Sequence, residues 1–346
     1  MAEYHDYYNG KVVLVTGGAG AIGCNLTRVL AECKAKCVIV LDNLSSSFKW
    51  NIPALPNVMF VEGDVTDDIM LKRVLSEKPE VVFHLAAFFA NQNSVDYPEK
   101  DIMTNGIGTL KLLQYLMLTG VKRFVYSSSG CSIYGSSAPL PLKEEFMSMN
   151  LSTPYQITKM LGELYCNFFF NHYDLPVVKA RFFNSYGPGE VPGQYRNVIP
   201  NFIYWAMKGE VLSITGTGNE TRDFTYVGDL VDGLLRAGFY EKAVGAEFNL
   251  ASGKETSIMN LANMINEAVG NKGGIKFVSK RKWDTKNRLL ASVERARELI
   301  GYQPKVVFEK GLIQTIEWFK KNWKLIEKSA SFVPGMSAAV KDRRCK

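Results

Sequence analysis

Apolar and polar positions along the first half of the chain fall into blocks whose period switches in a regular order. Val12 to Val15 form a short β-branched run, which predicts a buried parallel strand. Ile22, Leu26, Val29 and Leu30 then recur at helical spacing, and a second apolar run covers positions 37–41. Three more strands are predicted over 58–62, 81–85 and 124–126. Helix-periodic stretches over 69–77, 101–118 and 155–170 follow them. In the second of these helices Ile107, Leu110, Leu113 and Met117 share one face. Strands alternating with helices in this way predict an α/β fold with a doubly wound parallel sheet. From about Asn184 the alternation loosens, which predicts a smaller C-terminal lobe interleaved with the first. The expected organisation is 1–183 for the sheet domain, 184–328 for a substrate-binding lobe, and a disordered tail over 329–346.

The turn between the first strand and its helix carries Gly17, Gly20 and Gly23, spaced G-x-x-G-x-x-G. The second strand ends in Asp42, 19 residues past the third glycine. Strand, glycine turn, helix, strand and acid together are the context of a Rossmann-type dinucleotide fingerprint. The glycines allow a tight turn and close approach of backbone to a pyrophosphate. The helix N-terminus at Ala21 and Ile22 offers free N–H groups and a positive dipole. Asp42 is expected to accept hydrogen bonds from the adenosine ribose, and its charge would repel a 2′-phosphate. NAD is therefore the expected cofactor. Asn43 follows in the same polar loop. Asp64, with the Val65 backbone, suits either an adenine edge or a cap for the helix beginning near Asp67. Leu85, Ala86 and Ala87 end the fourth strand, where small residues let backbone approach a ligand. Asn105 is expected to hydrogen-bond inward, and His84 to be a packed core residue.

The strand over 124–126 runs into a hydroxyl cluster, Ser127-Ser-Ser-Gly-Cys-Ser132. Such a cluster is costly at the end of a buried strand unless its groups find partners, which points to a ligand. Tyr155 and Lys159 stand four apart on one helix face. An ammonium beside a phenol favours the phenolate, which predicts a proton acceptor usable near neutral pH.

Glycine turn, serine cluster and Y-x-x-x-K, in this order, resemble the extended short-chain dehydrogenase/reductase family, specifically its NAD-dependent nucleotide-sugar epimerases and dehydratases. Later segments carry the resemblance to about Trp323. The run 181–188 (RFFNSYGP) is similar to R-x-x-N-x-Y-G-P, whose Asn, here Asn184, contacts the nucleotide diphosphate. The run 216–229 contains the family's R-D-F-x-Y-V-x-D, which implies phosphate binding by Arg222. Arg281 and Asp284 match R-x-G-D, an element that touches phosphate and nucleoside ribose, with Trp283 where glycine is usual. The resemblance implies a nucleotide-diphosphate sugar substrate, Tyr155 and Lys159 as catalytic residues, and a serine beside them. Counting forward from the strand, that serine is Ser129. The segment has one residue more than usual before Tyr134, and Ser132 is the reserve. Members that eliminate water or decarboxylate carry acids directly after this serine, whereas Gly130, Cys131 and Ser132 stand here. C4 epimerisation is therefore expected, with a C4 dehydrogenase or ketoreductase as the alternative and an NAD-sensing scaffold as the non-enzymatic one. The helices over 101–118 and 155–170 carry surplus apolar residues, Phe168 to Phe170 especially, and the family pairs them across a two-fold axis; a homodimer is expected.

Composition changes little in this picture. The net charge of +7 is scattered, with no basic patch interleaved with aromatics, so nucleic acid is not an expected partner. Six cysteines without a C-x-x-C pair and three histidines argue against a metal site and for reduced thiols. No stretch reaches the roughly 20 apolar residues of a membrane span, and MAEYHDYYNG does not look like a signal peptide. No membrane association and a cytoplasmic location are expected.

Overall fold

In the computed structural model residues 3–282 and 284–332 are described. Seven parallel strands form the central sheet: β1 (Val12–Thr16), β2 (Cys37–Asp42), β3 (Val58–Glu62), β4 (Val81–His84), β5 (Arg123–Ser129), β6 (Val177–Phe182) and β7 (Glu247–Leu250). Their order is β7-β6-β5-β4-β1-β2-β3. The order reverses between β1 and β4, and there the carboxyl ends of two neighbouring strands open a crevice. Helices cover both faces. Leu26, Leu30, Leu230 and Leu234 seal one side of the sheet, and Leu71, Leu112, Leu116 and Phe169 the other. The inner strands are buried almost throughout, as their near-continuous apolar runs require, while the edge strand β3 buries only Val61.

The second half of the chain returns to this sheet through β7, which pairs with β6. The rest of it builds a separate core. Helices Val198–Met207, Ile258–Val269 and Phe308–Ser329 enclose Phe202, Ile214, Leu261 and Phe319 together with short paired strands.

Two expectations are corrected. The helix expected over 101–118 is interrupted: an α-turn at Pro98–Asp101 passes into a π-helical stretch, Ile102–Gly108, before α-helix resumes at Thr109–Leu116. Apolar periodicity is insensitive to one extra residue per turn, so the widened stretch left no trace in the pattern. The tail expected from 329 is ordered at its start. Trp50 Nε1 donates to Ser329 Oγ (3.1 Å), Ser331 bridges to Gly193, and Phe332 packs on Tyr204 and Trp205. Positions 333–346 lie outside the described residues, as does Trp283.

Among the described residues no helix is long and apolar enough to cross a membrane, and no His, Cys, Asp or Glu cluster could hold a metal ion. All five described cysteines are free thiols. The helix Pro154–Tyr173 and the neighbouring π-helical stretch leave Met103, Ile157, Leu164 and Phe168 between 43% and 54% exposed. Ile157, Leu164 and Phe168 share one helical face.

Candidate active site

Two adjoining clefts open at the carboxyl ends of the strands. The first is floored by the glycine turn. Gly17 has φ +71°, and a Cβ there would stand 2.6 Å from the Ala86 backbone nitrogen. A Cβ on Gly23 would meet the Gly17 carbonyl oxygen at 2.3 Å. Gly20 is the N-cap of the helix Ala21–Glu32, with no side chain capping it. The backbone at Ala21, Ile22 and Gly23 therefore faces the cleft, opposite Leu85, Ala86 and Ala87. Side chains at Gly17 and Gly23 would collide with neighbouring backbone, so glycine permits this tight turn, whose shape suits a dinucleotide.

Asp42 lines the same cleft, but its carboxylate is largely engaged. It accepts from Ala19 N (3.0 Å), Leu44 N (2.9 Å) and Ser47 Oγ (2.7 Å). Asn43 lines the cleft and donates to Asp64 Oδ2 (2.6 Å). Asp64 is not the helix cap that was one of its two expected roles. It accepts from Thr66 N (2.8 Å), the helix cap is Asp67, and Gly63 and Val65 line the cleft on either side of it. Asn105 points inward but stays behind the wall. It accepts from Phe88 N (2.7 Å) and donates to Asp101 (2.8 Å), so it holds the loop after β4 in shape.

The far end of the cleft gathers Ser129, Ser132, Cys131, Tyr155 and Lys159. Tyr155 opens the helix Pro154–Tyr173 behind the Thr153 cap, with Pro154 in its first turn. Its amide donates to Ser94 Oγ (3.1 Å) and its ring packs edge-on against Phe89. The Ser129 hydroxyl lines the cleft beside Tyr155 and stands 2.9 Å from Ser132 Oγ. Lys159 Nζ donates to the Ser127 carbonyl (2.7 Å) and lies 5.8 Å from the Tyr155 ring centroid.

The electrostatics differ from the sequence expectation. Burial raises Tyr155 above the ordinary phenol value, the Asp101 carboxylate adds to this, and the Ser129 hydroxyl opposes it. Burial also lowers Lys159 to about 8, against the pull of Asp101. Desolvation thus outweighs the ammonium–phenol pairing that the four-residue spacing suggested. His84 is core, as expected. It bridges Thr16 Oγ1 (2.7 Å) and Thr109 Oγ1 (2.9 Å), and burial lowers it to about 3.

Beneath this helix, Glu163 and Arg181 form a buried fork. Arg181 Nε and Nη2 donate to the two Glu163 oxygens at 2.9 and 2.7 Å, and Nη1 donates to the Glu144 carbonyl (2.8 Å) and Tyr134 OH (3.1 Å).

The second cleft is lined by Asn184, Arg222, Arg281 and Asp284. Asp284 joins the arginines, 3.5 Å from Arg222 Nη2 and 3.0 Å from Arg281 Nη2. Arg281 Nη1 donates to Gln92 Oε1 (2.9 Å). The Asn184 Nδ2 and Arg281 Nε atoms are buried without a hydrogen-bond partner. Unpaired buried donors beside two guanidinium groups are a site for phosphate oxygens.

Three further residues stand in or beside these clefts, two of which, Lys286 and Glu190, sequence reasoning missed. Lys286 donates to the Cys131 carbonyl (2.7 Å), and burial lowers it to about 8. Glu190 lines the first cleft, accepts from Asn197 Nδ2 (2.9 Å), and is pushed up by burial to about 7. Arg196 lines both clefts. All three sit in irregular segments that carry no periodic signal. The glycine-rich loop after Asn184 was the one cue in the sequence.

Comparison with known proteins agrees with this layout. The model of the NAD dependent epimerase/dehydratase family matches residues 13–251. A UDP-glucose 4-epimerase of Mycolicibacterium smegmatis is 37% identical over 311 residues, 89% of this chain and 98% of that protein. UDP-glucuronic acid decarboxylase 1 of Xenopus tropicalis is 32% identical over 318 residues, 90% of this chain and 72% of that protein. Among solved structures, an epimerase from the methanogen Methanothermobacter thermautotrophicus is 56% identical with a TM-score of 0.94, covering 95% of this chain and 98% of its own. The Bordetella bronchiseptica enzyme WbmF, solved with NAD+ and UDP, is 38% identical with a TM-score of 0.82, covering 94% and 96%.

Proposed function

Because the chain belongs to the NAD dependent epimerase/dehydratase family and is an NAD-dependent enzyme, we propose that it inverts C4 of a nucleotide-diphosphate sugar. The observation that carries this reading is the gathering of Tyr155, Lys159 and Ser129 in one cleft at the end of β5 with a thiol, not an acid, at Cys131. In the reading, the glycine turn and Asp42 would hold NAD, which would supply the two-electron acceptor and donor and a positive charge to the cleft. A positive charge in the cleft would favour the phenolate of Tyr155 against the burial that keeps it protonated. Tyr155 then takes the proton of the C4 hydroxyl and later returns it, with Ser129 hydrogen-bonded to the same oxygen. Lys159 orients this end of the cleft through Ser127. Asn184, Arg222 and Arg281 hold the diphosphate, with Asp284 bridging the two guanidinium groups.

Cys131 supports this reading over the neighbouring chemistries. Burial raises its thiol further above its ordinary value, so it is a poor acid for expelling hydroxide. Dehydration and decarboxylation both ask for a carboxyl group in that place. A C4 dehydrogenase would use the same residues, so the experiment must separate it. Incubation with UDP-hexoses, UDP-N-acetylhexosamines and UDP-hexuronic acids, followed by NMR, should show C4 inversion without stoichiometric NADH. Tyr155→Phe should lower turnover by roughly 10²–10⁴-fold while leaving UDP and NAD binding within about twofold. Stoichiometric NADH with a released ketosugar would replace the epimerase by a dehydrogenase, and a fully active Tyr155→Phe protein would end the reading.

We also propose that the exposed stripe of Ile157, Leu164 and Phe168, with Met103 beside it, pairs two copies of the chain. Four large apolar side chains half-exposed on adjoining helices form the kind of patch that marks an interface.

A further inference from the structure

Arg196 lies where the two clefts meet, and among the described residues its guanidinium makes no ion pair or hydrogen bond at contact distance. Its electrostatic neighbours are Glu190 and Asp42, one on its own loop and one at the end of β2. The loop that carries it is fixed on both sides. Gly193 and Asn201 exchange two hydrogen bonds (2.9 and 3.0 Å), Tyr195 OH donates to Asp96 Oδ2 (2.8 Å), and Asn197 Nδ2 donates to Glu190 (2.9 Å). The start of the loop is tied down to the glycine-turn helix. Asn25 Nδ2 donates to the Pro188 carbonyl (2.8 Å), and Asn51 Nδ2 donates to the carbonyls of Gly189 (2.9 Å) and Ala19 (3.2 Å). A Cβ on Gly189 would stand 2.6 Å from Cys24 Sγ, so only glycine lets the loop lie this close.

Charge counting in the first cleft gives this cation a task. Among the described residues lining it, the cations are Lys159 and Arg196 and the anions are Asp42 and Glu190. Lys159 is committed to the Ser127 carbonyl at the opposite end. A dinucleotide brings two further negative charges in its pyrophosphate, and the helix N-terminus answers them with N–H groups and partial charge alone. Without Arg196 a dianion would enter a cleft already holding the Asp42 carboxylate, with Lys159 at its far end as the one remaining cation among the described lining residues. We infer that Arg196 binds the pyrophosphate of the dinucleotide, as a clamp laid over the cofactor by the second half of the chain. A forked, permanently charged donor on a preordered loop suits that contact. The clamp holds the cofactor in place between oxidation and reduction, which a reaction that recycles its own NADH requires.

The diphosphate of a nucleotide sugar in the second cleft offers the same chemistry, so the test uses both anions separately. NAD and UDP binding are measured by calorimetry on the full-length protein, independently of turnover, so the result does not depend on the epimerase reading. Arg196→Met should raise the Kd for NAD at least tenfold and leave that for UDP within twofold. Arg196→Lys, which keeps the charge, should recover part of the loss. Thermal melting of each variant without ligand checks the fold, and Arg196→Lys carries the test should Arg196→Met fail to fold. Three outcomes would overturn the inference: unchanged NAD binding in Arg196→Met, a loss confined to UDP, or an equal loss of both. With a properly folded pair, Arg196→Lys binding NAD no better than Arg196→Met would also overturn it.

Discussion

Replacing Glu163 by glutamine tests the support under the candidate catalytic helix. Glu163 is 2% exposed and Arg181 1%, so neither can turn to water when the other changes. Glutamine keeps the shape and one acceptor oxygen, and the Arg181 bonds to Glu144 and Tyr134 survive. What is lost is the charge opposite a buried guanidinium, and breaking such a pair from one side costs about 3–5 kcal/mol. Because the bonds are partly retained, the lower end of that range applies. Unfolding entropy of about 2.1 cal/mol/K per residue over 346 residues is on the order of 0.7 kcal/mol/K. Calorimetry should therefore find Tm lowered by about 4 °C. The double substitution Glu163→Leu with Arg181→Met removes both charges and should melt within about 2 °C of the parent. A drop below 1 °C for Glu163→Gln, or a double variant less stable than the single, would refute the reasoning.

Ser129→Ala should lower kcat by at least tenfold, because the proposal places its hydroxyl on the reacting oxygen with Tyr155, while Ser132→Ala should cost less than threefold; steady-state kinetics on the substrate found by NMR would check both. Leu164→Glu with Phe168→Glu places two charges in the apolar stripe and should convert a dimer into a monomer by light scattering at micromolar protein. A parent that is already monomeric at that concentration would remove the pairing.

The sequence was most legible where one element carries both pattern and chemistry. The run from Val12 to Asp42 sets strand, glycine turn, helix and acid in covalent order, and the order itself implies their proximity. Tyr155 and Lys159 were legible for the same reason, since four residues of helix fix their relation. What their surroundings do to them was not. The direction of the Tyr155 shift depends on how deeply the helix is buried and on Asp101, 54 residues away in the chain. Asp42 was read as a ribose acceptor, but three of its acceptor positions are taken by Ala19, Leu44 and Ser47, which only the folded loop brings together. Glu190 was invisible because nothing local distinguishes it from a solvent-facing loop charge. Its neighbours Asn197 and Arg196 lie on the same loop, and only the fold brings Asp42 of β2 near Arg196.

The sheet that holds the cofactor cleft takes its last strand from far down the chain. β6 ends at Phe182 and β7 begins at Glu247, 65 residues later. Until those residues have emerged from the ribosome, β6 presents an unpaired edge with Val177, Val178 and Ala180 on it. At about 5–20 residues per second that interval lasts about 3–13 s. During synthesis the nascent chain is thus an open template for strand addition, and closure is a timed event. A fragment ending after β6 would keep the glycine turn and the Tyr–Lys pair yet retain a sticky edge for good. The second half of the chain thus supplies the strand that closes the sheet of the first.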